Sequence, residues 1–105
     1  MNEYLYRIQP TRADMLSAGA TPAEDAAVDA HFAYLQAALE RGVVRLAGRT
    51  LVTSLDSFGI VIYQAEDEAA ARAFMLADPA VAAGVFRAEL FPFRTALYAE
   101  AQALR

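Results

Sequence analysis

Between Phe58 and Gln64 both alternating sets of side chains are apolar: Phe58, Ile60 and Ile62 fall on one face of a strand, Val61 and Tyr63 on the other. A strand with one wet face alternates apolar with polar residues, so this one is read as covered on both sides. A chain of 105 residues has room for one domain and one core. One side of the strand is then covered by the chain's own helices, and the other needs a different cover.

The remaining segments supply the rest of a sheet. Tyr4 to Ile8 reads as a first strand, halted by Pro10, which cannot donate to a ladder. Thr11 to Ala20 has no periodicity and is longer than most connections, so it is read as a loop able to form a rim. Thr21-Pro22-Ala23-Glu24 announces a helix: Thr21 caps, Pro22 takes the first helical position and Glu24 completes a capping box. Val28, Phe32, Leu35 and Leu39 then recur at helical spacing as far as Gly42, which predicts a helix over Pro22 to Arg41. Val43 to Ala47 and Phe58 to Gln64 form a hairpin with a long polar loop. Asp67 caps a second helix that runs to Ala77 and is expected to bury Ala70, Ala73, Phe74 and Ala77; Asp78-Pro79 ends it. Val85 to Phe91 is the fourth strand, and 97–105 is a tail with helix-like spacing.

The order is strand, helix, strand, strand, helix, strand. Right-handed crossovers put both helices on one face of a four-stranded antiparallel sheet, an α+β, ferredoxin-like βαββαβ plan in a single domain over 1–105. The simplest cover for the bare face is the same face of a second copy, so a homodimer is expected.

Composition excludes several partners. Hydrophobic residues make up 57% and charged residues 21%, too apolar for a disordered chain. Net charge is -4 with no basic block, so neither nucleic acid nor an anionic membrane surface is an expected partner. The absence of cysteine removes disulfides, thiolate nucleophiles and zinc-thiolate or iron-sulfur sites. Met1-Asn2-Glu3-Tyr4 has no signal-peptide character and no apolar run approaches about 18 residues, which makes the cytoplasm the expected location.

His31 is the only histidine and lies on the edge of the first helix's apolar stripe, beside Tyr34 and Ala38. It is either a core-margin side chain with one satisfied hydrogen bond or a general acid/base, a role suited to a group that ordinarily titrates near neutrality. With one histidine and no paired ligand spacing, no metal site is expected. Asp78 reads as an N-cap for a turn begun by Pro79, and a carboxylate that caps can still orient an imidazole. Tyr34, Ser57, Arg49, Thr50 and Asp56 are polar candidates for a pocket, each equally at home in a turn or at a core edge. Arg7, Arg45 and Arg87 sit in three strands and suit either an anionic substrate or pairing with Glu89.

The segments His31-Phe32-Ala33-Tyr34-Leu35, Leu46-Ala47-Gly48-Arg49-Thr50, Phe58-Gly59-Ile60-Val61-Ile62, and Asp78-Pro79-Ala80-Val81 running to Ala88–Arg94 resemble the YciI-like (YCII-related) proteins of the dimeric α+β barrel superfamily. The resemblance covers about Tyr4 to Leu97. It implies sheet-to-sheet dimers and a site in which a histidine pairs with an aspartate, roles that map onto His31 and Asp78. Two departures stand out: Glu24, Asp25 and Asp29 occupy positions where many relatives carry arginines, and Arg49-Thr50 follows Gly48 where a proline is frequent. Related barrels include isomerases, dehalogenating lyases and cofactor-free monooxygenases, among which fold does not choose.

Three functions therefore compete. The first is a small-molecule enzyme with His31 moving a proton and Asp78 holding its tautomer, Tyr34, Ser57 and Arg49 holding the substrate, and no cofactor. The second is a non-catalytic metabolite-binding dimer, and the third a haem-handling barrel with His31 as axial ligand.

Overall fold

A computed structural model of the chain describes residues 1–99. Its elements run β1 (Asn2–Pro10), a 3-10 turn (Ala13–Met15), α1 (Pro22–Glu40), β2 (Val44–Arg49), β3 (Gly59–Ala65), α2 (Glu68–Ala77), a short α3 (Pro79–Ala82) and β4 (Phe86–Pro92). The strands form one antiparallel sheet in the order β2-β3-β1-β4, the ferredoxin-like arrangement expected from the element order. Of the tail, whose spacing suits a short helix or an arm, residues 97–99 are not helical, and the remainder lies outside the described residues.

Local chemistry sets the element ends. Thr21 Oγ1 accepts the Glu24 N–H at 3.1 Å and Glu24 Oε1 accepts the Thr21 N–H at 2.8 Å, a complete capping box. At the other end of α1, Gly42 N–H reaches Leu39 O and Val43 N–H reaches Ala38 O, a Schellman closure that needs the positive φ of Gly42. The same closure follows α3, where Gly84 has φ +76° and the Val85 N–H returns to Ala80 O at 2.9 Å.

Tyr4, Tyr6 and Ile8 of β1 and Val61 and Tyr63 of β3 point toward the helices and form the core with Leu35, Ala38, Ala71 and Met75. Aromatic rings dominate it: Tyr63 lies 5.5 Å from Tyr6, edge to face, and 4.8 Å from Phe74, which in turn stacks on Tyr34 at 4.9 Å. Such pairs contribute roughly 0.5–1.5 kcal/mol each beyond their burial. In β2 a bulge at Arg45 shifts the pairing, so that Val44 and Ala47 face the helices while Leu46 and Gly48 lie on the opposite face.

Both helices rotate away from their expected faces. In α1, Phe32 is 67% and Leu39 51% exposed, and the inward line runs through Glu24, Val28, His31, Leu35 and Ala38. Two polar residues hold that line because each has a partner inside, Arg12 for Glu24 and Asp78 for His31, and two apolar residues turn outward as a result. In α2, Ala70, Ala73 and Ala77 are exposed while Ala71 and Met75 are buried and Phe74 half-buried. Alanine buries too little area to set a helix phase, and the larger Phe74 and Met75 decide it.

The 11–20 loop is pinned to α1 rather than free. Arg12 grips Glu24 with two hydrogen bonds, Nε to Oε2 at 2.9 Å and Nη2 to Oε1 at 2.7 Å, and also donates to Gly19 O. The Arg12 hydrogen bonds and those from Thr21 hold the Glu24 carboxyl down at about 2, below the ordinary glutamate value of about 4.3. A group depressed in the folded state stabilises above its unfolded pKa and loses that contribution as pH falls toward its folded one. Urea unfolding of the wild type should therefore lose midpoint as pH drops from about 4.3 to about 2, and Glu24→Gln should show a shallower loss over that window. Parallel curves for the two proteins would show that the clamp contributes nothing to folding.

Candidate active site

The crossover from α2 into β4 carries the central polar group. Pro79 ends α2, and Asp78 stands between two helices with its backbone outside the helical region, φ -57° and ψ 123°. Its Oδ1 accepts the Ala80 N–H at 3.1 Å, the capping role read from Asp78-Pro79. Its Oδ2 turns the other way, 2.6 Å from His31 Nδ1 and 2.7 Å from the Tyr6 hydroxyl. The Asp78 side chain is completely buried.

Three donors from three elements thus face one carboxylate: a phenol from the middle of β1, an imidazole from α1 and a backbone amide from α3. A buried carboxylate is tolerable only with such partners. Since an ionised carboxylate only accepts, the proton on this side of the ring sits on Nδ1, which leaves Nε2 as the free nitrogen of neutral His31. Burial, then the charge of Asp78 and the hydrogen bond to it, push the Tyr6 phenol far above its usual range, so it remains a donor at any physiological pH.

Beside this cluster lies a cavity of about 260 Å³ at the end of the sheet where β1 and β2 finish and β3 and β4 begin. His31 and Asp78 do not themselves line it, and two residues connect it to the imidazole. Phe86 lines it and packs edge-on against His31, with centroids 5.3 Å apart, and Val28 lines it one helical turn before His31. Met15 and Leu16 of the pinned loop close one side, and Arg49 and Ser57 supply its polar groups. Ser57 is buried, and its hydroxyl lies 3.1 Å from that of Thr50.

His31 and Asp78 are thus brought together, and Arg49 and Ser57 lie on the neighbouring cavity. Tyr34 is elsewhere: its ring stacks on Phe74 and its hydroxyl donates to Phe74 O at 2.8 Å, so it belongs to the aromatic core and does not line the cavity. Its position three residues after His31 on the same helix face concealed how far the aromatic cluster draws it toward α2. Asp56 is exposed in the β2–β3 loop, and Arg7 pairs with Glu89 directly across β1 and β4 rather than facing the cavity. Sequence reasoning missed Tyr6 and Phe86. The signal for Tyr6 was present, because Tyr4, Tyr6 and Ile8 share one strand face and a buried tyrosine hydroxyl requires a partner.

Among the described residues no helix is long and apolar enough to cross a membrane. A search among curated proteins finds no match. Among solved structures the chain is similar to the 5-chloro-2-hydroxyhydroquinone dehydrochlorinase TftG from Burkholderia phenoliruptrix, in complex with 2,5-dihydroxybenzoquinone, at 19% identity and a TM-score of 0.63. The likeness covers 87% of this chain and 93% of that one and concerns the fold. The model of the YCII-related domain matches residues 4–94, from the first core tyrosine of β1 to just beyond β4, and on that match the chain belongs to the YCII-related family.

Proposed function

We propose that this chain is a small-molecule enzyme in which His31 transfers a proton on a compact organic substrate, while Asp78 fixes the tautomer of the imidazole and stabilises its protonated form. The observation that carries the reading is the 2.6 Å contact between His31 Nδ1 and a fully buried Asp78 carboxylate, beside a cavity that shares Phe86 with the ring. In the cycle, Nε2 takes a proton from an acidic C–H or O–H of the substrate, the charge that appears on the ring is met by Asp78, and the proton returns to product or solvent. Dehydrochlorination, the activity named for TftG, removes a proton with a chloride and is chemistry of this kind. A cavity of about 260 Å³ is smaller than pockets for drug-sized ligands and suits a compact substrate.

The functional unit in this reading is a homodimer. On the helix-free face Leu5, Leu46, Ile60, Ile62, Phe91 and Phe93 are half-buried or exposed in the single chain, too large an apolar area for a face left to water. Arg7 Nε, on the same face, is buried without a hydrogen-bond partner among the described residues, and a second copy can supply an acceptor. Light scattering at micromolar concentration should give the mass of a dimer whose interface buries more than about 1,000 Å². Ile62→Asp should convert it to a folded monomer; a wild-type monomer would refute the pairing.

Three substitutions test the proton chemistry. Replacing His31 with Gln should cost about 10²–10⁴-fold in turnover of any substrate found, with the circular dichroism spectrum unchanged. Asp78→Asn should cost at least tenfold in the same turnover, because the charge that meets the protonated ring is gone. Tyr6→Phe should cost less than Asp78→Asn, since the carboxylate keeps its contact with His31 Nδ1. Turnover that ignores both His31→Gln and Asp78→Asn would reduce the cluster to a structural hydrogen bond and favour a non-catalytic binding dimer.

A further inference from the structure

Arg49 is the one charged residue lining the cavity. Among the described residues it forms no ion pair and no side-chain hydrogen bond, whereas Arg12, the arginine of the adjoining loop, is fully engaged by Glu24 and Gly19. The rest of the lining is apolar apart from Ser57, with Phe58 and Phe86 supplying aromatic surface. The floor is tight: Gly59 pairs with Arg49 across β2 and β3, and a Cβ at Gly59 would come within 3.0 Å of Ile8 Cγ1. An exposed cation with no counter-charge among the described residues, on the lining of an apolar cavity in a protein of net charge -4, is a local reversal of the overall field.

We infer that the cavity takes a compact aromatic anion, its charged oxygens held by the Arg49 guanidinium and its ring against Phe58 and Phe86; this rests on the acid/base reading only for the claim that the ligand is also substrate. The guanidinium fork matches a carboxylate or an ionised enol better than a point charge does. Ser57 adds a second polar contact. When Thr50 donates to Ser57, the Ser57 hydroxyl proton remains free for the ligand. The cavity volume excludes large conjugates and leaves room for roughly a single substituted ring.

Calorimetric titration of the intact protein with benzoate, benzyl alcohol and acetate separates the contributions of ring and charge. Benzoate is expected to bind at least tenfold more tightly than either of the other two. Arg49→Gln should weaken benzoate at least tenfold while leaving benzyl alcohol unchanged, and Arg49→Lys should restore part of the loss. His31→Gln should keep benzoate affinity within about threefold. No benzoate binding, equal binding of benzyl alcohol, or indifference to Arg49→Gln would overturn the anion site. Benzoate binding that depends on Arg49, together with turnover that ignores His31→Gln and Asp78→Asn, would leave the anion site standing and remove the acid/base role.

Discussion

The Asp78 carboxylate is the constraint around which this structure is arranged. Completely buried, it costs several kcal/mol of solvation unless its oxygens are met, and they are met by three donors that lie far apart in sequence. Tyr6 fixes the middle of β1 against the α2–α3 junction, and His31 fixes the rotation of α1 about its axis. Ala80 N–H turns the chain from one helix into the next. Losing any one donor leaves a buried charge partly uncompensated, so the cluster couples the phase of α1, the register of β1 and the position of the crossover into a single requirement.

That requirement explains why α1 presents His31 inward while Phe32 and Leu39 face out. Hydrophobic patterning alone favours a stripe turned toward Phe32 and Leu39 but still containing Val28 and Leu35, and the cost of leaving the buried Asp78 carboxylate without its donor decides the difference. The same rotation brings Val28 to the cavity and sets Tyr34 over Phe74, so the aromatic core and the cavity are separated by nearly two helical turns of α1. At the other end of the helix the Arg12–Glu24 clamp holds the 11–20 loop, and with it Met15 and Leu16, against the cavity. Two polar contacts on one helix therefore shape a site that is otherwise apolar.

Strand order, helix starts and the glycine closure of α1 were legible in the sequence because each depends on chemistry within a few residues: Thr21 with Glu24, Asp67 as a cap, Gly42 after Leu39. What was not legible depends on contacts across the fold. Helix phase in α2 was misread because alanines carry no preference between inside and outside, and Tyr63, whose hydroxyl donates to Ala71 O at 2.6 Å, selects the face from the sheet side. In the site, His31 and Asp78 were named from their local contexts and from family resemblance, but Tyr6 enters only through its 72-residue separation from the oxygen it bonds. Arg49 reached the cavity by its register opposite Gly59, and Ser57, in the β2–β3 loop, by its contact with Thr50.

Sharing Oδ2 between a phenol and an imidazole also has a chemical sense. In the proposed enzyme its charge is divided between the imidazole at Nδ1 and a phenol. Tyr6, kept protonated by burial and by Asp78 itself, draws off part of that charge without competing as an acid. The ring is then oriented by a full hydrogen bond to a carboxylate oxygen that also serves the phenol, an arrangement that in the proposed enzyme suits a group passing a proton in both directions. The positions of Tyr6 and Arg49 divide the electrostatics in the proposed enzyme: the buried anion and its phenol tune the proton carrier from behind, and the unpaired cation selects what reaches it from the front.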